Sequence, residues 1–161
     1  MKIPKMLRLL SIMVLVLVVA IPMISSAAAQ SDVCRNLPAT AMPGDEITVE
    51  LDITAGADAD RLLIEDTVPA GWEVTGASDG GAASPDGDKV RWAEFLIPPE
   101  SGTYTYTVQI PGEATPGMYD FAGEFDLTGT IQDISCDTQM EVEEPVSISA
   151  TRDIMPDPAE V

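Results

Sequence analysis

Residues 46–54, EITVELDIT, set Ile47, Val49, Leu51 and Ile53 at every second position, with acids and threonines between them. Strand side chains alternate between faces, so this period predicts a strand with one buried and one wetted side. TYTYTVQI, residues 103–110, repeats it, with Tyr104, Tyr106, Val108 and Ile110 on the inward face. YDFAGEFDL, 119–127, does so through Tyr119, Phe121, Phe125 and Leu127, with Gly123 marking a bend, and DTQMEVEE, 137–144, turns Met140 and Val142 inward. Shorter strands are expected at 61–66, 71–77 and 89–97. In the last of these the step from Val90 and Trp92 to Phe95 and Ile97 predicts a bulge near Ala93. Trp72 and Trp92 read as core residues, with a stacked sugar platform as the sharper alternative. MPGDE, VPAGW, SDGGAASPDGDK, PPESG and PGEATPG carry the Gly, Pro and Asp of turns between these runs. About seven short strands with no long helical period indicate an all-β fold, a two-sheet antiparallel sandwich.

The first 29 residues follow a different pattern. Lys2, Lys5 and Arg8 precede an apolar run from Leu9 to Ile24, and Ala27 and Ala29 stand at −3 and −1 of a cut before Gln30. That is the layout of a cleavable export signal, residues 1–29. The competing reading is an uncleaved membrane anchor, since the uncharged stretch is long enough to span. Residues 30–145 then form the sandwich domain. Residues 146–161 are an acidic, proline-containing tail or the opening of a second module, because SATRDIMPDP loosely echoes SDVCRNLPATAMPGD.

Export changes the charge balance. Beyond residue 29 only Arg35, Arg61, Lys89, Arg91 and Arg152 stand against all 27 acids, a net charge of −22. Nucleic acid and anionic membrane surfaces are repelled by such a chain, so membrane contact is expected only through an uncleaved leader. The scarcity of Lys also suits a salty habitat, where screening removes self-repulsion.

The ordered motifs PGDEITVELDI, TVPAGWEVTGAS, GTYTYTVQIP, ATPGMYDFAGEFDLTG and DTQMEV resemble the immunoglobulin-like conserved repeat modules of archaeal and bacterial secreted and cell-surface proteins. The likeness covers about residues 33–144. It implies an Ig-like or fibronectin-III-like sandwich and a non-catalytic structural, spacer or adhesive module with no family-wide active site. A secreted or cell-surface location is expected, with other envelope or surface proteins or a polysaccharide as partners. The alternative function is a carbohydrate-binding or cohesin-like protein-binding domain.

Two cysteines remain, Cys34 and Cys136. Lipidation at Cys34 would need a small residue directly before it, whereas Gln30, Ser31, Asp32 and Val33 intervene. In an exported chain the pair favours a disulfide between the first and last strands, with an intermolecular bridge as the alternative. Parity opposes the intramolecular bridge: with Val33 and Leu37 inward Cys34 faces out, while Cys136 shares parity with Met140 and Val142. A bulge or twist is therefore expected in one of the two strands, and the RNLP stretch before Pro38 is irregular enough to allow it.

The chain contains no His, which excludes Ser-His-Asp, Cys-His and histidine-metal arrangements within it. No acidic pair is singled out for glycoside hydrolysis, and no enzyme or cofactor is expected. Calcium has slight support, as Asp58 with Asp60, and Asp86 with Asp88, set alternate carboxylates in loops. Neither completes the calcium-loop motif D-x-[DN]-x-[DN]-G-x5-E.

Overall fold

The structure is a computed structural model and describes residues 30–95 and 99–144. The expected leader, the tail at 146–161 and Ile97 lie outside the described residues. Among the described residues thirteen short strands follow in chain order: β1 (Asp32–Asn36), β2 (Thr40–Ala41), β3 (Glu46–Thr54), β4 (Leu62–Thr67), β5 (Glu73–Ala77), β6 (Ala82–Ala83), β7 (Lys89–Glu94), β8 (Gly102–Gln109), β9 (Gly117–Asp120), β10 (Ala122–Asp126), β11 (Gln132–Asp133), β12 (Ser135–Cys136) and β13 (Gln139–Val142). One sheet has the order β12-β1-β3-β8-β5, a second β11-β10-β4-β7-β6, and a third β2-β13-β9. The alternating burial along β3 shows the predicted inward row, Ile47, Val49, Leu51 and Ile53, packed on the core. Tyr106 and Val108 from β8, Leu62 and Ile64 from β4, and Val90 and Trp92 from β7 supply its other walls.

Four of the five turn segments close with main-chain hydrogen bonds, Asp45 N to Met42 O, Trp72 N to Pro69 O, Gly87 N to Ser84 O and Ala114 N to Pro111 O, at 3.0–3.1 Å. Both tryptophans are core residues. The Trp92 indole meets Tyr104 edge-on at 5.8 Å and donates to Ser78 O at 2.9 Å, while Trp72 packs edge-on against Phe121 at 5.7 Å.

Two expectations need correction. No bulge occurs at Ala93: β7 pairs residue by residue with β4 through Leu63 and Ala93, and Phe95 beyond it is exposed. The register shift lies instead on β5, between Val74 and Gly76 against β8. The break in YDFAGEFDL falls at Phe121, where β9 on β13 gives way to β10 on β4; Gly123 lies inside β10. The pairing is mainly antiparallel, as expected, with β12 parallel to β1 and β13 parallel to β2.

Candidate functional site

The inward parity of β1 brings a charge into the core. Val33 and Arg35 share the buried face, and Arg35 is 1% exposed. On β4 the parity of Leu62 and Ile64 likewise delivers Asp66, which is 0% exposed. Arg35 Nε donates to Asp66 Oδ2 at 2.9 Å, Arg35 Nη2 to Oδ1 at 2.5 Å, and Arg35 Nη1 to Asp137 O at 2.9 Å. The carboxylate also accepts from Tyr106 Oη at 2.8 Å and from Thr67 N at 3.0 Å. The guanidinium stands 5.8 Å from the Phe121 ring centroid. A buried ion pair offsets its desolvation only when its remaining donors and acceptors are occupied, and here they are. Among the described residues no buried side-chain polar atom lacks a partner. Gly123 makes the arrangement possible, since a Cβ there would lie 2.6 Å from both Asp66 Oδ1 and Ile134 Cδ1.

Burial, with the Asp66 charge and hydrogen bond behind it, raises the Tyr106 phenol well above its usual range. A raised native pKa leaves stability intact below the unfolded value of about 10 and removes it as pH climbs from there toward the native pKa. Stability is thus expected to fall above about pH 10. Tyr106→Phe should flatten that alkaline fall, measured as urea midpoints against pH; an unchanged slope would refute the assignment.

Cys34 and Cys136 form the intramolecular disulfide, their Cα atoms 5.2 Å apart. The parity conflict is resolved at Cys136 and not in RNLP: Cys136 takes φ 70°, a left-handed conformation that swings its side chain out of the inward row. Cys136 is exposed and Cys34 half-buried.

The calcium candidates are scattered. Asp60 Oδ1 accepts from Arg61 Nε at 2.7 Å, and that hydrogen bond holds the Asp60 carboxyl below its usual range. Asp88 Oδ1 accepts from Ser84 Oγ at 2.7 Å, Asp86 is exposed in the turn before β7, and Asp58 borders an open polar depression with Ser31 and Thr130. Among the described residues no three acidic or sulfur ligands are gathered for an ion.

The outer face of the β10-β4-β7 sheet carries a groove of about 260 Å³. Leu63 and Ala93, paired across β4 and β7, form its floor, and Ile131, 68% exposed, forms one wall. Its charged margin is uneven. Glu65 takes Lys89 Nζ at 2.6 Å and Arg91 Nη2 at 2.5 Å, which holds the Glu65 carboxyl below its ordinary value, Lys89 contributing most. On the other side Glu124 stands opposite Asp133, two exposed acids in direct cross-strand register. Arg61 is committed to Asp60 and Asp126, so every cation among the described residues has an acidic partner.

The sequence model of the bacterial alpha-2-macroglobulin MG10 domain matches residues 24–119, more than half the chain. The chain belongs to that family. The Ig-like sandwich read from the motifs therefore stands, with the family a macroglobulin one. A relative of this MG10-family chain, an uncharacterized protein of Archaeoglobus fulgidus, is 31% identical over 144 residues, covering 85% of this chain and 79% of its own. A solved structure from Corynebacterium diphtheriae, described as membrane anchored, overlaps 76% of the chain at 14% identity and TM-score 0.47. A family 123 glycoside hydrolase from Clostridium perfringens overlaps 66% at 16% identity and TM-score 0.38. The MG10-family chain spans only 37% and 23% of those two proteins.

Proposed function

We propose that this MG10-family chain is a non-catalytic structural module of an exported, cell-surface assembly, acting as a spacer and as a contact domain for neighbouring envelope proteins. The placement of the aromatic side chains carries this reading. Trp72, Trp92, Tyr106, Phe121 and Phe125 are buried, and Phe95 is the one exposed aromatic among the described residues. Sugar recognition by stacking needs exposed rings in a row, and the core has taken them. Chemistry has little to work with: the chain has no His, and the buried carboxylate of Asp66 already holds four hydrogen bonds. The leader pattern at 1–29 supports export, and the acidic surface supports a partner that is neither nucleic acid nor anionic lipid.

Fractionation of the native organism tests the proposal. The chain is expected with the envelope or extracellular proteins, released by raised salt and not by soluble polysaccharide. Release by polysaccharide would shift the function to carbohydrate binding, and a cytoplasmic pool would end the surface-module reading.

A further inference from the structure

We propose that the groove on the outer face of the β10-β4-β7 sheet docks a protein segment that presents an aliphatic side chain next to a Lys or Arg. The inference rests on the surface-module reading and names the face and the chemistry by which the module makes contact. Three observations combine. The groove's apolar lining includes Leu63, Ala93 and Ile131, and Ile131 is the most exposed large hydrophobic residue described. Its volume of about 260 Å³ falls just below the range of roughly 300–1,000 Å³ typical of small-molecule sites, and suits an anchoring side chain.

The second observation is electrostatic. Across β11, β10 and β4 the acids Asp133, Glu124 and Glu65 stand in one row on the outer face. Lys89 and Arg91 lie on the β7 side and are both tied to Glu65. Like charges directly opposite one another on a sheet destabilise it. A cation from outside, lying over Glu124 and Asp133, would relieve that repulsion while its aliphatic neighbour entered the groove. Third, the same charge row opposes a second copy of this chain, which would bring acid against acid with no free cation among the described residues to offset it.

The partner's two features divide the work. An exposed charge pair contributes little affinity but sets encounter and register, while the apolar anchor, once desolvated, slows dissociation.

The test titrates the full chain, followed by its amide resonances, with a short peptide alternating Leu and Lys and with a control alternating Ser and Lys. Saturable shifts centred on Leu63, Ala93 and Ile131 are expected with the first. Binding should weaken by at least about tenfold for the control and for Ile131→Glu, and should also fall in Glu124→Lys. Both positions are exposed, so these variants retain the fold, verified by their melting curves. Equal binding of the two peptides, or shifts spread over the acidic surface, would overturn the groove. Resonances at Leu63 and Ile131 that move with protein concentration alone would assign it to a second copy. Their movement in the full chain carrying Ile154→Asp would assign it to the chain's own tail, and either result sinks the proposal. A chain fractionating away from the envelope would undo the surface-module reading without moving these resonances, so the two failures are distinguishable.

Discussion

Replacing Arg35 by Met is expected to lower folding stability by about 3–5 kcal/mol, read from urea unfolding. The guanidinium satisfies both oxygens of a carboxylate that is 0% exposed, and it also holds Asp137 O. Without it Asp66 keeps only Tyr106 Oη and Thr67 N, and its charge stays in a medium that solvates it poorly. Removing both charges at once, as Arg35→Met with Asp66→Leu, should be less destructive than the sum of the single changes, because no uncompensated charge remains. A loss below about 1 kcal/mol for Arg35→Met would show that water reaches the pair and that the core does not depend on it.

Reducing the disulfide in the folded protein is expected to produce the other large effect. The bond links residues 102 apart, and closing a loop of that length restricts the unfolded chain enough to contribute about 4–5 kcal/mol on the chain-entropy model. The left-handed backbone at Cys136 subtracts from this gain, since L-residues disfavour that conformation by about 1–2 kcal/mol. Because Cys136 is exposed, a thiol reductant can reach the bond without prior unfolding. Cys34→Ser with Cys136→Ser should match the reduced protein in melting temperature and no longer respond to reductant. A double variant as stable as the oxidised wild type would refute this role.

The strands were legible wherever burial acts every second residue. Glu46 to Thr54 reads as β3 to the residue, and Tyr106, Val108, Met140 and Val142 point where their period requires. The buried ion pair left a fainter signal. Arg35 shares parity with Val33, and Asp66 with Leu62 and Ile64, so two opposite charges occupy interior positions of separate strands; a net-charge count does not separate them from the other ions. What unites them is the β1 sheet packing against the β4 sheet, a long-range contact that leaves no mark on local sequence. The role of Gly123 was misread for the same reason. Its missing side chain answers to Asp66 and Ile134 across the fold, whereas the bend at Phe121 follows from the strand leaving β13 for β4. The groove was visible only in fragments, as an apolar Leu63 at an outward position and an Ile131 inside a turn-rich segment, until the sheet placed them side by side.

The parallel pairing of the first and last segments gives the domain a direction. Asp32 lies beside Thr54 at one pole, while Val142 lies beside Ala41 and Gly117 at the other, so the chain enters and leaves at opposite ends. A load carried through the domain from β1 to β13 crosses at the Cys34 to Cys136 bond. The 102-residue span between them, with a contour length of about 340–370 Å, is bypassed. In an oxidising setting the loop between the cysteines is shielded from tension, which falls only on the segments outside it, β13 among them, and in a reducing one the same loop becomes a spring with that length held in reserve.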